Sequence, residues 1–389
     1  MKSQIKNLIK KHLPRLIELR RTIHSIPELA GMEFETSALI RKVLAETEIK
    51  LLTPFLETDV VGLLQGKNSG HSVALRADID ALPLNEMTAL PYASICSGKM
   101  HACGHDGHAT ILLGTALVLN ELRDQFEGSV RFVFQPGEEV AALGRELVAA
   151  GALENPAPRH VFALHAHPGK VTGTILSRPG AIMAAAGFFK IIITGRGGHG
   201  SQPQNTVDPI VIASQLVTAL QSIVARNIDP QEAAVVSVCR FSAGNNENVI
   251  PEQALLEGTI RFLNQEVGKK LPELIKRQTE GICHANGAKY TFEYSLPYEP
   301  CINDPECVKM VQHTAVELFG KEMYQEMPRS SMGGEDFCYF LKKYPGAFFN
   351  LGVGTDSPGI HNPHFNFNDD ALENGIMMMV HLALKSLGS

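Results

Sequence analysis

Short apolar runs rich in β-branched residues alternate with helical stretches through the first half of the chain. Four such runs are VVGLLQG, SVALRAD, SVRFVFQ and HVFALHA, and the segments between them place apolar residues at helical spacing, as in HATILLGTALVLNELRD. A strand that is joined through a helix to the next strand normally lies parallel to it. The alternation therefore predicts an α/β fold with a mostly parallel sheet, and GAFFNLGVG is predicted as a further buried strand.

The pattern changes at about Gly187. GFFKIIITG, AAVVSVCRFSAG, ALLEGTIRFL and KYTFEYSL have the composition of strands, while DPIVIASQLVTALQSIVAR and PELIKRQTEGICHANG are predicted helices. These elements fit one antiparallel sheet with helices on one face, which is an α+β arrangement. A chain of 389 residues has room for two or three domains. We predict a larger α/β domain formed by residues 1–186 and 298–389, interrupted by a smaller α+β domain at residues 187–297.

The composition argues against a nucleic-acid-binding protein, a membrane protein and a disulfide-bonded secreted protein. The 35 Lys and Arg residues against 41 Asp and Glu residues give a net charge of −6, which disfavours a protein that holds nucleic acid by overall charge. No uninterrupted apolar run approaches the ~18–20 residues of a membrane helix, and the basic N-terminal segment lacks the apolar core of a secretory signal. The seven cysteines are scattered and include no CxxC pair, which favours reduced thiols. These features predict a globular protein of the cytoplasm without a nucleic-acid or membrane partner.

The densest chemical signal is the segment HACGHDGH at residues 101–108. It includes Cys103 and His105, and thiolate and imidazole are ligands that borderline-soft divalent ions prefer. Its glycines allow a tight backbone turn before the following helix. Taken alone, the segment is compatible with a metal site and also with a cysteine nucleophile that has a histidine base.

Two further segments favour a metal site. QPGEE places Glu138 and Glu139 directly after an apolar strand, and LHAHP places His165 after another. GIHNPHF supplies His361 and His364 after the strand GAFFNLGVG. Functional sites in open α/β sheets gather beyond the carboxyl ends of the strands. We therefore expect these segments to meet at one edge of the sheet.

In these motifs the sequence resembles the M20 metallopeptidase family, in the branch of aminoacylases, hippurate hydrolases and auxin-conjugate hydrolases. The match runs nearly end to end, through motifs in the same order: RRTIHSIPEL, RADIDALP, HACGHDGH, QPGEE, LHAHP, GRGGHGSQP, NVIP, EGTIR, GGEDF and HNPHF. The resemblance implies a zinc-peptidase-like catalytic domain, interrupted by a lid or dimerisation domain. It also implies two divalent ions with a water between them, held by Cys103, His105, Glu139, His165 and His361.

One position departs from other branches of the family, which have a histidine ligand in an H-x-D motif. This sequence has Arg76 there, in RAD, and Cys103 and His105 are expected to take over ligation. Asp78 keeps the carboxylate of the motif and is expected to orient a ligand. The family pattern H-x-P favours His361 over His364 as the last ligand.

The resemblance also implies roles in catalysis and substrate binding. Glu138 is expected to be the general base, and His199 in GGHGS the donor to the oxyanion, in some relatives from the partner subunit. Asn248 in NVIP and Arg261 in GTIR are expected to bind a substrate carboxylate. The GGEDF motif is assigned no ligand role.

These assignments predict a metal-dependent amidohydrolase that cleaves the amide bond of N-acyl L-amino acids, with Mn, Zn, Ni or Co as the two ions, working as a homodimer through the inserted domain. A dipeptidase or carboxypeptidase, or an N-acetyl-diaminopimelate deacetylase, would use the same catalytic residues. A thiol hydrolase with Cys103 as nucleophile is a second class, but it leaves Glu138 and His165 unexplained. A non-catalytic metal-binding protein is a third, and the presence of Glu138 disfavours it.

Overall fold

The computed structural model describes residues 1–140 and 142–388. Its helices and strands are set out here in chain order. The helices are α1 Lys2–Ser25, α2 Phe34–Leu44, α3 His105–Glu121, α4 Gly144–Ala149, α5 Pro209–Asn227, α6 Gln265–Ala285, α7 Pro305–Phe319, α8 Cys338–Lys343 and α9 Ala371–Gly388. The strands are β1 Lys50–Leu51, β2 Val60–Gln65, β3 Ser72–Asp78, β4 Ser129–Gln135, β5 His160–His167, β6 Ile175–Ser177, β7 Gly180–Met183, β8 Ala185–Thr194, β9 Gly198–His199, β10 Ala234–Ala243, β11 Val249–Ile250, β12 Gln253–Phe262, β13 Lys289–Tyr298, β14 Cys301–Asn303, β15 Tyr324–Glu326 and β16 Gly346–Gly352.

The chain divides into two compact units. Unit 1 contains residues Met1–Ile182, Ile302–Arg329 and Asp336–Ser389, and unit 2 contains Met183–Cys301 and Ser330–Glu335. The domain limits that the sequence predicts, 1–186, 187–297 and 298–389, remain a prediction.

Unit 1 is built on an eight-stranded sheet in the order β1-β2-β4-β3-β5-β16-β6-β15. Its centre is parallel, since β3 runs parallel to β4 and β5, and β16 runs parallel to β5. The predicted α/β class with a mostly parallel sheet is confirmed. The strand VVGLLQG departs from the simple alternation, because β2 pairs with β4 in the antiparallel direction.

The core of unit 1 lies between this sheet and helices α1, α3 and α9. Strands β3, β4 and β16 are buried at every residue, as expected for central strands that are covered on both faces. Helix α3 is buried from His105 to Leu119 and packs against α1, α9 and β3. The N-terminus of α3 therefore has a fixed position beside the carboxyl ends of the parallel strands.

Unit 2 contains a four-stranded antiparallel sheet in the order β10-β12-β8-β13. Helices α5 and α6 pack on it around a separate apolar core. Helix α6 begins at Gln265, earlier than the predicted segment, because the side chain of Asn264 caps it and Pro272 lies within it. Helix α5 is long and apolar enough to span a membrane by length and composition, but Leu216, Leu220 and Ile223 pack into the core of unit 2.

Candidate metal centre

The sequence motifs of unit 1 meet where the parallel strands end. Strand β3 ends at Asp78, β4 at Gln135, β5 at His167 and β16 at Gly352. Because these strands run parallel, their carboxyl ends lie at one edge of the sheet, and the segments RADIDALP, HACGHDGH, QPGEE and HNPHF lie close together there.

The HACGHDGH segment makes a tight turn into α3. Gly104 has φ of +90°, a left-handed conformation that side chains rarely adopt, and it separates Cys103 from His105 at the start of the helix. The ring of His105 is buried, and its Nδ1 lies 3.0 Å from the carbonyl oxygen of Asp80 and 3.1 Å from Oδ1 of the same residue. Its Nε2 has no hydrogen-bond partner in the described part of the chain. That nitrogen is available as a ligand atom.

Cys103 and His165 face one another. The Sγ atom of Cys103 lies 3.3 Å from Nε2 of His165, and Nδ1 of His165 donates to the carbonyl oxygen of Ala166 at 2.8 Å. The sequence predicted that His165 follows a strand, but in the structure it lies within strand β5. The Sγ atom of Cys103 and the Nε2 atom of His165 are therefore close enough to bind the same ion.

Glu139 and His361 complete the arrangement. Oε1 of Glu139 lies 3.2 Å from Nε2 of His361 and 3.8 Å from Nε2 of His105. The amide N–H of His361 donates to the carbonyl oxygen of Ala102 at 2.7 Å, which fixes the HNPHF loop beside the HACGHDGH turn. His361 therefore lies among the candidate ligands, whereas His364 belongs to no such group among the described residues.

The donor atoms fit bound metal ions. Three groups each bring their ligand atoms within 4.8 Å of one another: Cys103, His105 and His165; Cys103, Glu139 and His361; and His105, Glu138 and Glu139. Thiolate, imidazole and carboxylate together form a donor set for zinc and other first-row divalent ions. The overlapping groups and the unpaired Nε2 of the buried His105 fit such ions.

Electrostatics disfavour Cys103 as a free nucleophile. Burial and the nearby carboxylates of Glu139 and Glu138 raise the pKa of the Cys103 thiol well above its usual value. A catalytic cysteine needs a lowered pKa and positive surroundings. The same carboxylates favour a bound cation.

Asp78 lies beside the candidate ligand His105 and is bonded to His108. Its Oδ1 accepts from Nδ1 of His108 at 2.6 Å, and Nε2 of His108 accepts from the amide of Ala166 at 2.8 Å. Both nitrogens of His108 are thereby used in hydrogen bonds, although His108 also forms a group with Asp78 and His105 whose ligand atoms lie within 4.8 Å of one another. Burial would raise the pKa of Asp78, but His105, Arg76 and His108 hold it well below its usual range.

Arg76 binds two buried carboxylates at the position where other branches have a histidine. Its Nη1 donates to Asp78 at 2.7 Å and its Nη2 donates to Asp336 of GGEDF at 2.7 Å. Asp336 also accepts from the side chain of Gln135 and from the amide of Gly144. Arg76 therefore acts as a support for the edge of the sheet, and Asp336 joins it to the segment that carries Glu138 and Glu139.

Three supporting carboxylates were not assigned a role from the sequence: Glu33, Asp80 and Asp336. Asp80 and Asp336 lie inside the motifs RADIDALP and GGEDF, and Glu33 lies four residues beyond the motif RRTIHSIPEL. Each is buried, and each accepts a backbone N–H from residues 137–144. Their position inside or near motifs was the available signal, but their partners are backbone atoms, which no pattern of side chains reveals.

A second buried network lies at the start of α3. Oδ2 of Asp106 accepts from Nη1 of Arg20 at 3.0 Å and from Nδ1 of His24 at 2.8 Å, and Nε2 of His24 lies 3.3 Å from Glu86. The rings of Tyr92 and His101 also face His24. Burial would lower the pKa of His24, but Asp106 and Glu86 raise it to about 9.

The candidate substrate residues lie in unit 2, and the structure brings only two of them together. His199 on β9 pairs with Val249 on β11, and the amide of Gly200 donates to the carbonyl oxygen of Asn248 at 2.8 Å. Arg261 lies near the far end of β12, with its guanidinium 5.8 Å from the ring centre of Phe188. At about 3.4 Å per residue, the distance along β12 from Gln253 to Arg261 is about 27 Å.

Comparison with known proteins places the chain among hydrolases. A family model described as peptidase family M20/M25/M40 matches residues 74–385. The chain is 41% identical to the N-acetylcysteine deacetylase of Bacillus subtilis, over 95% of this chain and 96% of that protein. It is 36% identical to thermostable carboxypeptidase 1 of Saccharolobus solfataricus, over 98% of both. It is 38% identical to the IAA-amino acid hydrolase ILR1-like 2 of Arabidopsis thaliana, over 96% of this chain and 85% of that protein.

Solved structures agree. The crystal structure of a dinuclear metal binding peptidase of the M20 family from Bacillus subtilis superposes with a TM-score of 0.84 at 37% identity, covering 97% of this chain and 98% of that one. The resemblance seen in the motifs is thereby confirmed. The chain belongs to peptidase family M20/M25/M40, in its aminoacylase and amidohydrolase branch, and is a metal-dependent hydrolase.

Proposed function

We propose that the chain hydrolyses the amide bond of N-acyl L-amino acids, releasing a carboxylic acid and an amino acid. The observation that carries this proposal is the convergence of thiol, imidazole and carboxylate donors beside the buried Glu138. The names of the deacetylase and of the IAA-amino acid hydrolase among the relatives support the substrate class.

The ligands in this proposal are Cys103, His105, Glu139, His165 and His361. Two divalent ions held there would polarise the amide carbonyl and lower the pKa of a water molecule. Glu138 lies with His105 and Glu139 in one group of ligand atoms, and its neighbour Gly137 donates its amide to Glu33 at 3.0 Å. The backbone beside the proposed base is thus held in place.

Glu138 performs the proton transfer. It takes a proton from the water whose oxygen attacks the carbonyl carbon, and it delivers that proton to the amide nitrogen as the carbon–nitrogen bond breaks. Such general acid–base catalysis typically contributes about 10²–10⁴-fold to the rate. Asp78 holds His108 and faces His105, and its role in this proposal is to keep the ligand side of the site in position.

Residues of unit 2 bind the rest of the substrate in this proposal. Nδ1 of the exposed His199 accepts from the amide of Ser201 at 3.2 Å, so its Nε2 is the atom that can donate to the oxyanion. Asn248 lies on the neighbouring segment, and Arg261 binds the substrate carboxylate through its guanidinium.

The separation within unit 2 supports a homodimer. His199 and Asn248 lie before β12, and Arg261 lies about 27 Å along β12 from its first residue, Gln253, a length that exceeds the reach of one small substrate. We propose that one copy of the chain supplies Arg261 to a site and a second copy supplies His199 and Asn248 to the same site.

Manganese or zinc are the ions that we propose for the site, with nickel and cobalt as further candidates, because a Cys/His/Glu donor set accepts several first-row ions. The cytoplasm is the proposed compartment. The seven cysteines, all among the described residues, form no disulfide bond, which is typical of proteins from reducing compartments.

A carboxypeptidase is the second candidate function. The observation that favours it is the 36% identity to a thermostable carboxypeptidase over nearly the whole chain. A carboxypeptidase also needs a group that binds a terminal carboxylate, so the ligands, Glu138 and Arg261 would serve both reactions.

The decisive experiment compares substrates on chelator-stripped protein, with and without added Mn²⁺ or Zn²⁺. N-acetyl-methionine and N-benzoyl-glycine test the amidohydrolase, and an N-blocked dipeptide tests the carboxypeptidase. We expect metal to restore release of the amino acid from the N-acyl substrates. Faster metal-dependent cleavage of the blocked dipeptide would favour the second candidate, and failure to bind metal would overturn both.

A further inference from the structure

The segment that carries Glu138 and Glu139 is held through its backbone by three buried carboxylates. Glu33 accepts from the amide of Gly137 at 3.0 Å, Asp80 from the amide of Glu139 at 3.0 Å, and Asp336 from the amide of Gly144 at 2.8 Å. Buried carboxylates are costly unless they are paired or hydrogen-bonded.

Asp80 differs from the other two because it also touches a candidate ligand. Its Oδ2 accepts from the amide of Glu139, and its Oδ1 lies 3.1 Å from Nδ1 of His105. The side chain is 1% exposed, so water does not compete with either bond. One carboxylate therefore joins the His105 ring to the backbone of Glu139.

The chemistry of this contact fixes which nitrogen of His105 carries the proton. Nδ1 of His105 lies 3.1 Å from Oδ1 of Asp80 and 3.0 Å from the backbone carbonyl oxygen of the same residue. An ionised carboxylate and a carbonyl oxygen only accept hydrogen bonds, so Nδ1 must carry the hydrogen. In a neutral ring the lone pair is then on Nε2, the nitrogen near Glu139, which has no hydrogen-bond partner among residues 1–140 and 142–388. A carboxylate behind a histidine ligand orients the ring and strengthens it as a donor.

We propose that Asp80 is a positioning residue that prepares His105 and Glu139 together for metal binding. The inference rests on the proposed metal-dependent function. Asp80 holds the ligating tautomer of His105 with one oxygen and the backbone of Glu139 with the other. It makes the imidazole ligand and the carboxylate ligand parts of one hydrogen-bonded unit before any ion arrives.

The variant Asp80→Asn tests this directly. Both partners of Asp80 are N–H donors, and an amide has only one accepting oxygen. If that oxygen faces Glu139, the NH₂ group meets the N–H at Nδ1 of His105, so the ring keeps its bond to the backbone carbonyl of Asp80 but loses the carboxylate that orients it. If it faces His105, the NH₂ group meets the N–H of Glu139 and the loop loses its bond.

Asp59 offers a matched control. It is also buried, and it accepts from the amides of Leu56 at 2.6 Å and Phe55 at 3.3 Å, but it belongs to none of the groups of candidate ligands. The variant Asp59→Asn therefore removes the same charge and the same kind of acceptor without touching a ligand.

The measurement is calorimetric titration of Mn²⁺ or Zn²⁺ into metal-free parent, Asp80→Asn and Asp59→Asn proteins, with thermal unfolding of each before metal is added. We expect Asp80→Asn to weaken metal binding by about 10–100-fold, the usual effect of losing such a partner. Asp59→Asn should lower the unfolding temperature and leave metal affinity unchanged.

Equal metal affinity in parent and Asp80→Asn would overturn the inference, as would an equal loss of affinity in Asp59→Asn. If the parent itself binds no metal, the proposed metal-dependent function fails. The titration of the parent therefore distinguishes failure of the proposed function from failure of the proposed role of Asp80. A second measurement does not depend on the variant folding. Nitrogen-15 NMR of labelled histidine in the metal-free parent should find hydrogen on Nδ1 of His105, assigned by its loss in His105→Gln, and a neutral ring with hydrogen on Nε2 alone would contradict the proposal.

Discussion

The candidate metal centre in unit 1 and the candidate substrate residues in unit 2 are built in opposite ways. Cys103 and His105 are 5% and 1% exposed, and buried groups hold the ring of His105 and the segment of Glu139. His199 and Asn248 are exposed at a short strand pair, and Arg261 is half-buried against an aromatic ring. Metal ligands must be positioned before the ion binds, whereas groups that contact a passing substrate must remain accessible. The two regions should therefore respond differently to the same kind of change.

The largest expected effect is loss of turnover in Glu138→Gln. Removing the proposed base should lower kcat by about 10²–10⁴-fold. Metal binding should persist, because Glu139 rather than Glu138 is the proposed ligand. Steady-state kinetics together with the metal content of the purified variant check both statements. Turnover close to that of the parent would contradict the assignment of Glu138 as the general base.

A mixing experiment tests the exposed region. His199→Ala should lower kcat by about 10²–10³-fold and Arg261→Ala should lower kcat/KM by about 10–100-fold. When both variants are co-expressed with different tags, half of the dimers contain one copy of each. If sites are shared between copies, one of the two sites in each mixed dimer is intact, so activity should recover to about one quarter of the parent.

The control for this experiment is each variant mixed with a second batch of itself, which should recover nothing. Purification of the doubly tagged species should raise the recovery to about one half. No recovery in the doubly tagged species would mean that each copy uses its own His199 and Arg261.

Bound metal should stabilise the candidate metal centre of unit 1 more than the candidate substrate residues of unit 2. Ligand that binds only the folded state at 100 times its Kd adds about 2.7 kcal/mol to the free energy of unfolding. We expect hydrogen exchange to slow at Cys103, Glu139 and His361 when Zn²⁺ is added to stripped protein, and to stay unchanged at His199 and Asn248. Equal protection of both regions would show that the exposed segment is coupled to the ligands.

The smallest expected effect concerns His24. Its pKa in the folded protein is about 9, above the ordinary value of 6.5, because Asp106 and Glu86 favour the charged ring despite its burial. Its contribution to stability is therefore fully present below pH 6.5 and is lost as the pH rises through 9. The stability difference between the parent and His24→Gln, about 1–3 kcal/mol at pH 6, should shrink toward pH 10 in urea unfolding. A difference that is constant with pH would contradict this assignment.

The convergence of the motif segments could be predicted from the sequence for a physical reason. Parallel strands bring their carboxyl ends to one edge, so motifs that directly follow or end such strands must meet there. The segments of Glu139, His165 and His361 therefore converge as expected. The α/β class follows from the same alternation of strands and helices.

The hydrogen bonds by which Asp80, Asp336 and Arg76 hold the site in place could not be predicted in the same way. Asp80 binds a backbone amide 59 residues away, and Asp336 binds Arg76 at a separation of 260 residues. Such pairs depend on the distances between loops, which the local pattern does not encode. The separation of His199 from Arg261 is also invisible in the sequence, because it depends on the register of β12 and on where β9 pairs.

The bond between Arg76 and Asp336 restricts how this protein can evolve. Replacing Arg76 with the histidine of other M20 branches would remove a guanidinium that contacts both Asp78 and Asp336 at 2.7 Å. Breaking a buried ion pair on one side costs about 3–5 kcal/mol, a large share of the stability of an ordinary domain. Asp336 would then keep its bonds from Gln135 and Gly144, and Asp78 would keep its bond from His108. The residue at position 76 is thus tied to the two carboxylates that it joins, and a new metal ligand at that position would come at a cost in stability.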